Sequence, residues 1–254
     1  MQQRWPDRLW VVRHGESSGN VARDAARAAR LTHIDTGGRD VDVPLSALGE
    51  RQSTALGRWF AGMPEGQRPD VVLTSPYRRA RQTAGLIQAA GALPVDAADI
   101  TQDERLREKE FGVLDRLTRH GIEQHYPDQA EFRRILGKFY HRPPGGESWC
   151  DVILRLRSAL DSVSLHHGGA RVLIVAHQVV VLCLRYLLES MTEDQILAID
   201  AEGDVTNCGV TEYAFDPRQG RDGRLVLRRY NFVAPLQQHG APVTAEADLP
   251  AGAR

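Results

Sequence analysis

Cysteine is scarce in this sequence, and the few that occur cannot form a framework. Cys150, Cys183 and Cys208 stand far apart, with no CxxC spacing. That argues against a disulfide-stapled scaffold and a thiolate metal site, and suits small buried residues in a reducing compartment. An excess of charge of one sign is also lacking. The 32 lysines and arginines meet 33 aspartates and glutamates, for a formal net charge of −1. Such a balance gives no general pull toward nucleic acid or an anionic membrane, so neither is expected as a partner, and any anion binding must be local. No apolar run approaches the length of a membrane span, and "MQQRWPDRLW" lacks the apolar stretch of a secretory signal. A cytoplasmic location is the default expectation. No repeat is evident. No cluster of carboxylates or histidines has metal-ligand spacing, so chemistry without a metal or cofactor is expected.

What the sequence does have is a set of short apolar runs that end in reactive side chains. "RLWVVRH", "PDVVLTSP" and "ARVLIVAHQ" read as buried strands. Helical patterns alternate with them. "VARDAARAARL" is alanine-rich, Ser46 is placed to cap a helix running to Phe60, and "YRRARQTAGLIQAAG" closes at Gly91. Ser148 and Asp151 spell a capping box for the helix in "GGESWCDVILRLRSALDSV", and "VVVLCLRYLLE" follows the third strand. "CGVTEYAF" and "RLVLRRYNFV" alternate as strands near a sheet edge. The fold class is therefore α/β: a three-layer α/β/α sandwich, its sheet mostly parallel with helices on both faces. One domain over residues 1–234 is expected. A small helical insertion at about 103–145, polar and aromatic, is expected to cover the active-site end of the sheet. Residues 235–254, with little to bury, are expected as a flexible tail.

In parallel sheets of this kind ligands bind outside the carboxyl ends of the strands. Three predicted strand ends carry Arg13-His14, Thr74-Ser75 leading to Arg79, and His177. Arginines are planar forks suited to bidentate contact with phosphate oxygens. A phosphate ester carries about −1.5 to −2 charge near neutral pH, which two arginines and one protonated histidine would neutralise. A second, neutral histidine could then attack phosphorus, splitting the transfer into two easier steps.

In order along the chain, "RHGESSGN", "DVPLSALGERQ", "TSPYRRARQTA", "LREKEFG", "PPGGES" and "VLIVAHQ" resemble the histidine phosphatase superfamily, in its phosphoglycerate-mutase-like branch. The resemblance runs from about Leu9 to Phe215, and within the branch it is nearest to plant and fungal mutase-like phosphatases. It implies that His14 is the nucleophile, Arg13 and Arg79 the phosphate clamp, and His177 the second pocket histidine that steadies the transferring group. The spacing S-x-x-x-R-A selects Arg79 over Arg78, which is then solvated. Asn20 matches a position whose amide also touches the phosphate. Glu108 matches the proton donor to the leaving group, with Glu110 as its local competitor. Glu16 fits a structural hydrogen-bond partner behind the histidine loop, since its charge would oppose phosphate.

Three functions follow as alternatives. The mutases of this branch have a longer segment between the acid motif and the GES turn. Here the tract from Gly112 to Gly146 is short, and Arg116 stands where a glycine is usual. An open pocket admits water, so a metal-independent phosphomonoesterase acting on a small phosphorylated metabolite is expected. A cofactor-dependent phosphoglycerate mutase is the alternative. A catalytically inactive phosphate-binding module is the third, and it predicts a damaged pocket. Gln178, where a glycine is usual after the second histidine, puts the choice of substrate in question.

Overall fold

The structure, a computed structural model, describes residues 3–91 and 100–245. Its centre is strand β1, Arg8–Arg13. Strand β4, Arg171–Ala176, lies parallel on one side, with β2, Val71–Thr74, and the short β3, Thr101–Gln102, beyond it. On the other side β5, Val210–Asp216, and β6, Arg224–Phe232, run antiparallel. The order is β3-β2-β4-β1-β5-β6, a mostly parallel sheet as expected.

Register places the site. Arg13 pairs with Ala176 and Thr74 with Val175, so three strands finish level to within one residue. The next residues, His14, Ser75 and His177, continue this ladder, with His14 and Ser75 donating backbone N–H bonds to Ala176 and Val175. Sequence spacing alone could not show that these ends coincide.

The inner strands are apolar on both faces because both are covered. Alternate side chains point to opposite layers. Leu9, Val11 and Ile174 pack with α6, Trp149–His166, and α7, Gln178–Leu188. Trp10, Val12 and Val175 pack with α2, Ala47–Ala61, and α3, Arg78–Ala89. The capping signals act as read: Ser46 accepts from Gly49 N, and Ser148 and Asp151 form a reciprocal box. Helix α1, Ser18–Ala28, starts three residues earlier than the alanine run suggested, because Ser17 and Asn20 close a capping box of their own.

Two regions follow the sequence reading and two depart from it. The insertion is helical as expected, with α4, Arg119–His125, and α5, Pro127–Tyr140, the latter kinked at Gly137 where φ is +77°. Helix α8, Glu193–Glu202, was not anticipated, although Thr192 and Gln195 spell its capping box. Helix α3 closes at Gly91 as read, with Ala90 as the C-cap and Gly91 in the left-handed turn after it, φ +83°. The last is a correction. Residues 235–245 do not stand away as a free tail. Helix α9, Ala234–Gln238, buries Leu236 against the α2 layer, and Gln52 then fixes Pro242 and Thr244 by hydrogen bonds. A few buried apolar groups and satisfied carbonyls suffice to hold a polar segment. Residues 246–254 of the expected tail lie outside the described residues.

Candidate active site

His14 opens the loop after β1 and is fully buried. Its Nδ1 lies 2.7 Å from the Gly15 carbonyl, and its Nε2 lies 3.1 Å from Arg79 Nε. A carbonyl only accepts and a guanidinium only donates. Nδ1 therefore carries the proton, and Nε2 presents its lone pair toward the arginine. The ring of His177, also fully buried, stands edge-on to that of His14, with centroids 5.1 Å apart. The structure thus brings His14, Arg79 and His177 into one cluster. Arg78, one residue earlier on α3, is exposed, as the spacing argument required.

Two further side chains stand around this cluster. Ser75 Oγ is 2.8 Å from His177 Nε2. The Tyr77 ring lies 5.0 Å from the His177 ring and 5.0 Å from the Arg79 guanidinium carbon. Its hydroxyl donates to Glu110 Oε1 at 2.9 Å. Burial, and then the charge of Glu110, push that hydroxyl above its ordinary titration range. Ser75 had a signal, its place at a strand end. Tyr77 had none.

The histidine loop is held from behind. Gly15 N donates to Thr83 Oγ1, Glu16 N to Gln52 Oε1, and Asn207 Nδ2 to the His14 carbonyl. Thr244 joins the last two supports, accepting from Gln52 Nε2 and donating to Asn207 Oδ1. Glu16 accepts from Ser46 Oγ. Glycine is required at 15 and 49, since a Cβ on Gly15 would meet the Gly49 carbonyl at 2.5 Å and one on Gly49 would meet Glu16 O at 1.9 Å. This close approach seats the first turn of α2 on the loop.

Arg13 is fully buried and donates to the Val205 carbonyl. Asn20 is buried with its Oδ1 accepting from Ser17 N and Oγ, so the oxygen end of the amide serves the α1 cap. Gln178 Nε2 donates to Asp204 Oδ1 at 2.8 Å. The departure from glycine is thus tied into the wall beside His177.

The two candidate acids differ sharply. Glu108 is 2% exposed and accepts from Lys109 N, whereas the Glu110 side chain is 47% exposed and already engaged by Tyr77. Glu147 is the hub of this loop. It accepts from Glu110 N, Arg107 and Arg155, and Arg155 also donates to the Arg105 and Glu108 carbonyls. Burial pushes the Glu147 carboxyl up, but the Arg155 bonds and charge outweigh it and hold the carboxyl below its usual range. Glu147 was visible only as a letter of "PPGGES". Lys109 is buried over the Phe111 ring, and burial, then Arg133, lowers its ammonium to about 8. Among the described residues no group of three or more histidine, cysteine or acidic side chains is placed to hold a metal ion, and no helix is long and apolar enough to cross a membrane.

An arginine and two histidines are thus gathered at the parallel strand ends. Residues 9–227 match the histidine phosphatase superfamily (branch 1), and the chain belongs to that family. It is 34% identical over 178 residues to the "Probable phosphoglycerate mutase GpmB" of Yersinia enterocolitica, covering 69% of this chain and 72% of that one. It is 30% identical over 197 residues to the 2,3-bisphosphoglycerate-dependent phosphoglycerate mutase of Methylorubrum extorquens, covering 76% and 84%. Among solved structures, Bacillus stearothermophilus YhfR superposes with a TM-score of 0.69 at 28% identity, covering 90% of this chain and 98% of that one. The mycobacterial glucosyl-3-phosphoglycerate phosphatase Rv2419c with inorganic phosphate shares the fold, with a TM-score of 0.66 at 24% identity over 90% and 99% of the two chains.

Proposed function

We propose that the chain is a phosphomonoesterase acting through a phosphohistidine on a small phosphorylated metabolite. The observation that carries this reading is the state of the His14 ring. Its proton sits on Nδ1, held by the Gly15 carbonyl, and its Nε2 lone pair faces the Arg79 guanidinium. A nucleophile needs that lone pair, and a phosphoryl dianion needs that cation.

The steps follow from the placement. Arg13, Arg79 and the amide end of Asn20 grip the phosphoryl oxygens. His14 Nε2 attacks phosphorus, the ester P–O bond breaks, and Glu108 as a carboxylic acid gives its proton to the leaving oxygen. His177, steered by Ser75, stabilises the charge on the transferring group. Water then attacks the phosphohistidine, Glu108 as carboxylate takes its proton, and inorganic phosphate leaves. No metal ion or cofactor enters the balance, and neither nucleic acid nor membrane is needed.

The mutase reading has one observation in its favour, the identity to proteins named as phosphoglycerate mutases. Against it stands the short path from α5 through Pro143-Pro144-Gly145-Gly146 straight into the α6 cap. The deciding experiment measures phosphate release from a panel of phosphomonoesters with a chelator present, while 3-phosphoglycerate isomerisation is followed in the same samples. The expected result is release without isomerisation, lost in His14→Ala. Isomerisation without net release would make the chain a mutase, and neither activity would leave a binding module.

A further inference from the structure

One carboxylate lies against the reactive cluster with no part in the steps above. Asp40 begins a short 3-10 turn, Asp40–Asp42, in the loop between α1 and α2. Its backbone oxygen and Oδ1 accept from Arg79 Nη1 at 2.7 and 2.9 Å, and its Oδ2 accepts from Nη2 at 3.1 Å. Arg79 is buried, while the Asp40 side chain is 23% exposed. A surface loop thus reaches in and grasps a buried arginine by its end.

The edges of the guanidinium show what this grip accomplishes. Asp40 accepts from Nη1 and Nη2, the end of the fork. The side edge is formed by Nε and Nη2, and Nε is directed at His14 Nε2. That side edge is itself a two-pronged fork, the geometry that receives two phosphoryl oxygens. A carboxylate competing for the phosphate place would sit on the edge that faces His14. Asp40 sits on the other one.

We propose that Asp40 is a positioning residue that locks the Arg79 guanidinium end-on, so that its side edge meets the phosphoryl group in flight between ester and His14. Unlocked, the arginine can swing about its last torsions, and misplacement of a charge-stabilising group by about 1 Å costs on the order of 100-fold in rate. The loss falls on the transition state more than on the bound ground state, because only in transfer do the oxygens need that alignment. This inference rests on the phosphoryl-transfer reading of the site.

The test compares the parent chain with Asp40→Asn, Asp40→Ala and Asp40→Glu. Binding of inorganic phosphate and of orthovanadate, a mimic of the five-coordinate transition state, is measured by calorimetry, and turnover is measured on an aryl phosphate. Thermal melting checks that each variant is folded. Asp40→Asn and Asp40→Ala are expected to weaken vanadate binding and lower kcat by about 10- to 100-fold, with phosphate affinity and KM nearly unchanged. Asp40→Glu, which keeps a two-oxygen acceptor, recovers part of the loss. If phosphate and vanadate both bind tighter in Asp40→Asn, the carboxylate is a competitor and the proposal is overturned. Unchanged vanadate binding and kcat in folded variants also overturn it, while the phosphatase reading stands. A parent chain that neither turns over nor binds either anion overturns both.

Discussion

The two ends of the sheet are built from the same residue types and behave differently. Where the parallel strands start, Arg8 and Arg171 pair with Glu212 and Asp70, and Arg229 adds a second partner to Glu212. The arginines there keep a quarter to a half of their side-chain surface in water. Where the strands finish, Arg13 and Arg79 are buried, together with His14, Ser75 and His177. Charges that keep part of their surface in water are screened by it and by salt. Buried cations in a dry pocket act strongly on whatever anion enters. Placement, and not composition, separates a solubilising rim from a reactive site.

The largest test of that contrast exchanges the two ends. Arg13→Ala is expected to lower turnover by roughly 100- to 1,000-fold, whereas Arg8→Ala leaves it within about two-fold, since Arg229 still pairs with Glu212. Equal effects in steady-state assays and melts would erase the distinction. Glu108 sharpens it next. Glu108→Gln is expected to cost about 100-fold on alkyl phosphates and much less on aryl phosphates, whose leaving groups need less protonation. Equal losses on a leaving-group series would remove its role as acid.

Lys109 tests burial through stability. Its ammonium is lowered from 10.5 to about 8, first by burial and then by Arg133. The unfolded chain therefore binds more protons between those values, and the folded state gains stability as pH rises from about 8 to 10.5. The cost at pH 7 is roughly 3 kcal/mol as an order of magnitude. Lys109→Met is expected to melt higher than the parent at pH 7, with the gap closing above pH 10. A gap that does not depend on pH would show that packing alone changed. The smallest expected effect concerns Thr244, which joins the supports of the histidine loop. Thr244→Val should cost about 1 kcal/mol in stability and lower kcat a few-fold with KM unchanged. Lost stability with full kcat would make it a packing contact only.

The legible part of the molecule was local. Valine-rich runs against α2, α3, α6 and α7 announced the sandwich, and Ser46, Ser148 and Asp151 announced two helix starts. His14, Arg79 and His177 were found because they end or follow apolar runs. Asp40, Tyr77 and Asn207 were not found, because each acts on a residue more than 35 positions away and carries no local pattern. The same reason hid the docking of α9, which depends on Gln52 far upstream.

By itself, then, the sequence determined the layer architecture, which follows from periodicity, the family, which follows from the resemblance of its ordered motifs, and which charged side chains end the strands. Only the tertiary structure decided that the three strand ends are level, that Glu108 is buried while Glu110 is half in water, and that Asp40 grips Arg79. Those depend on register and on long-range contacts, whose cost and reward are settled only when the whole chain has packed.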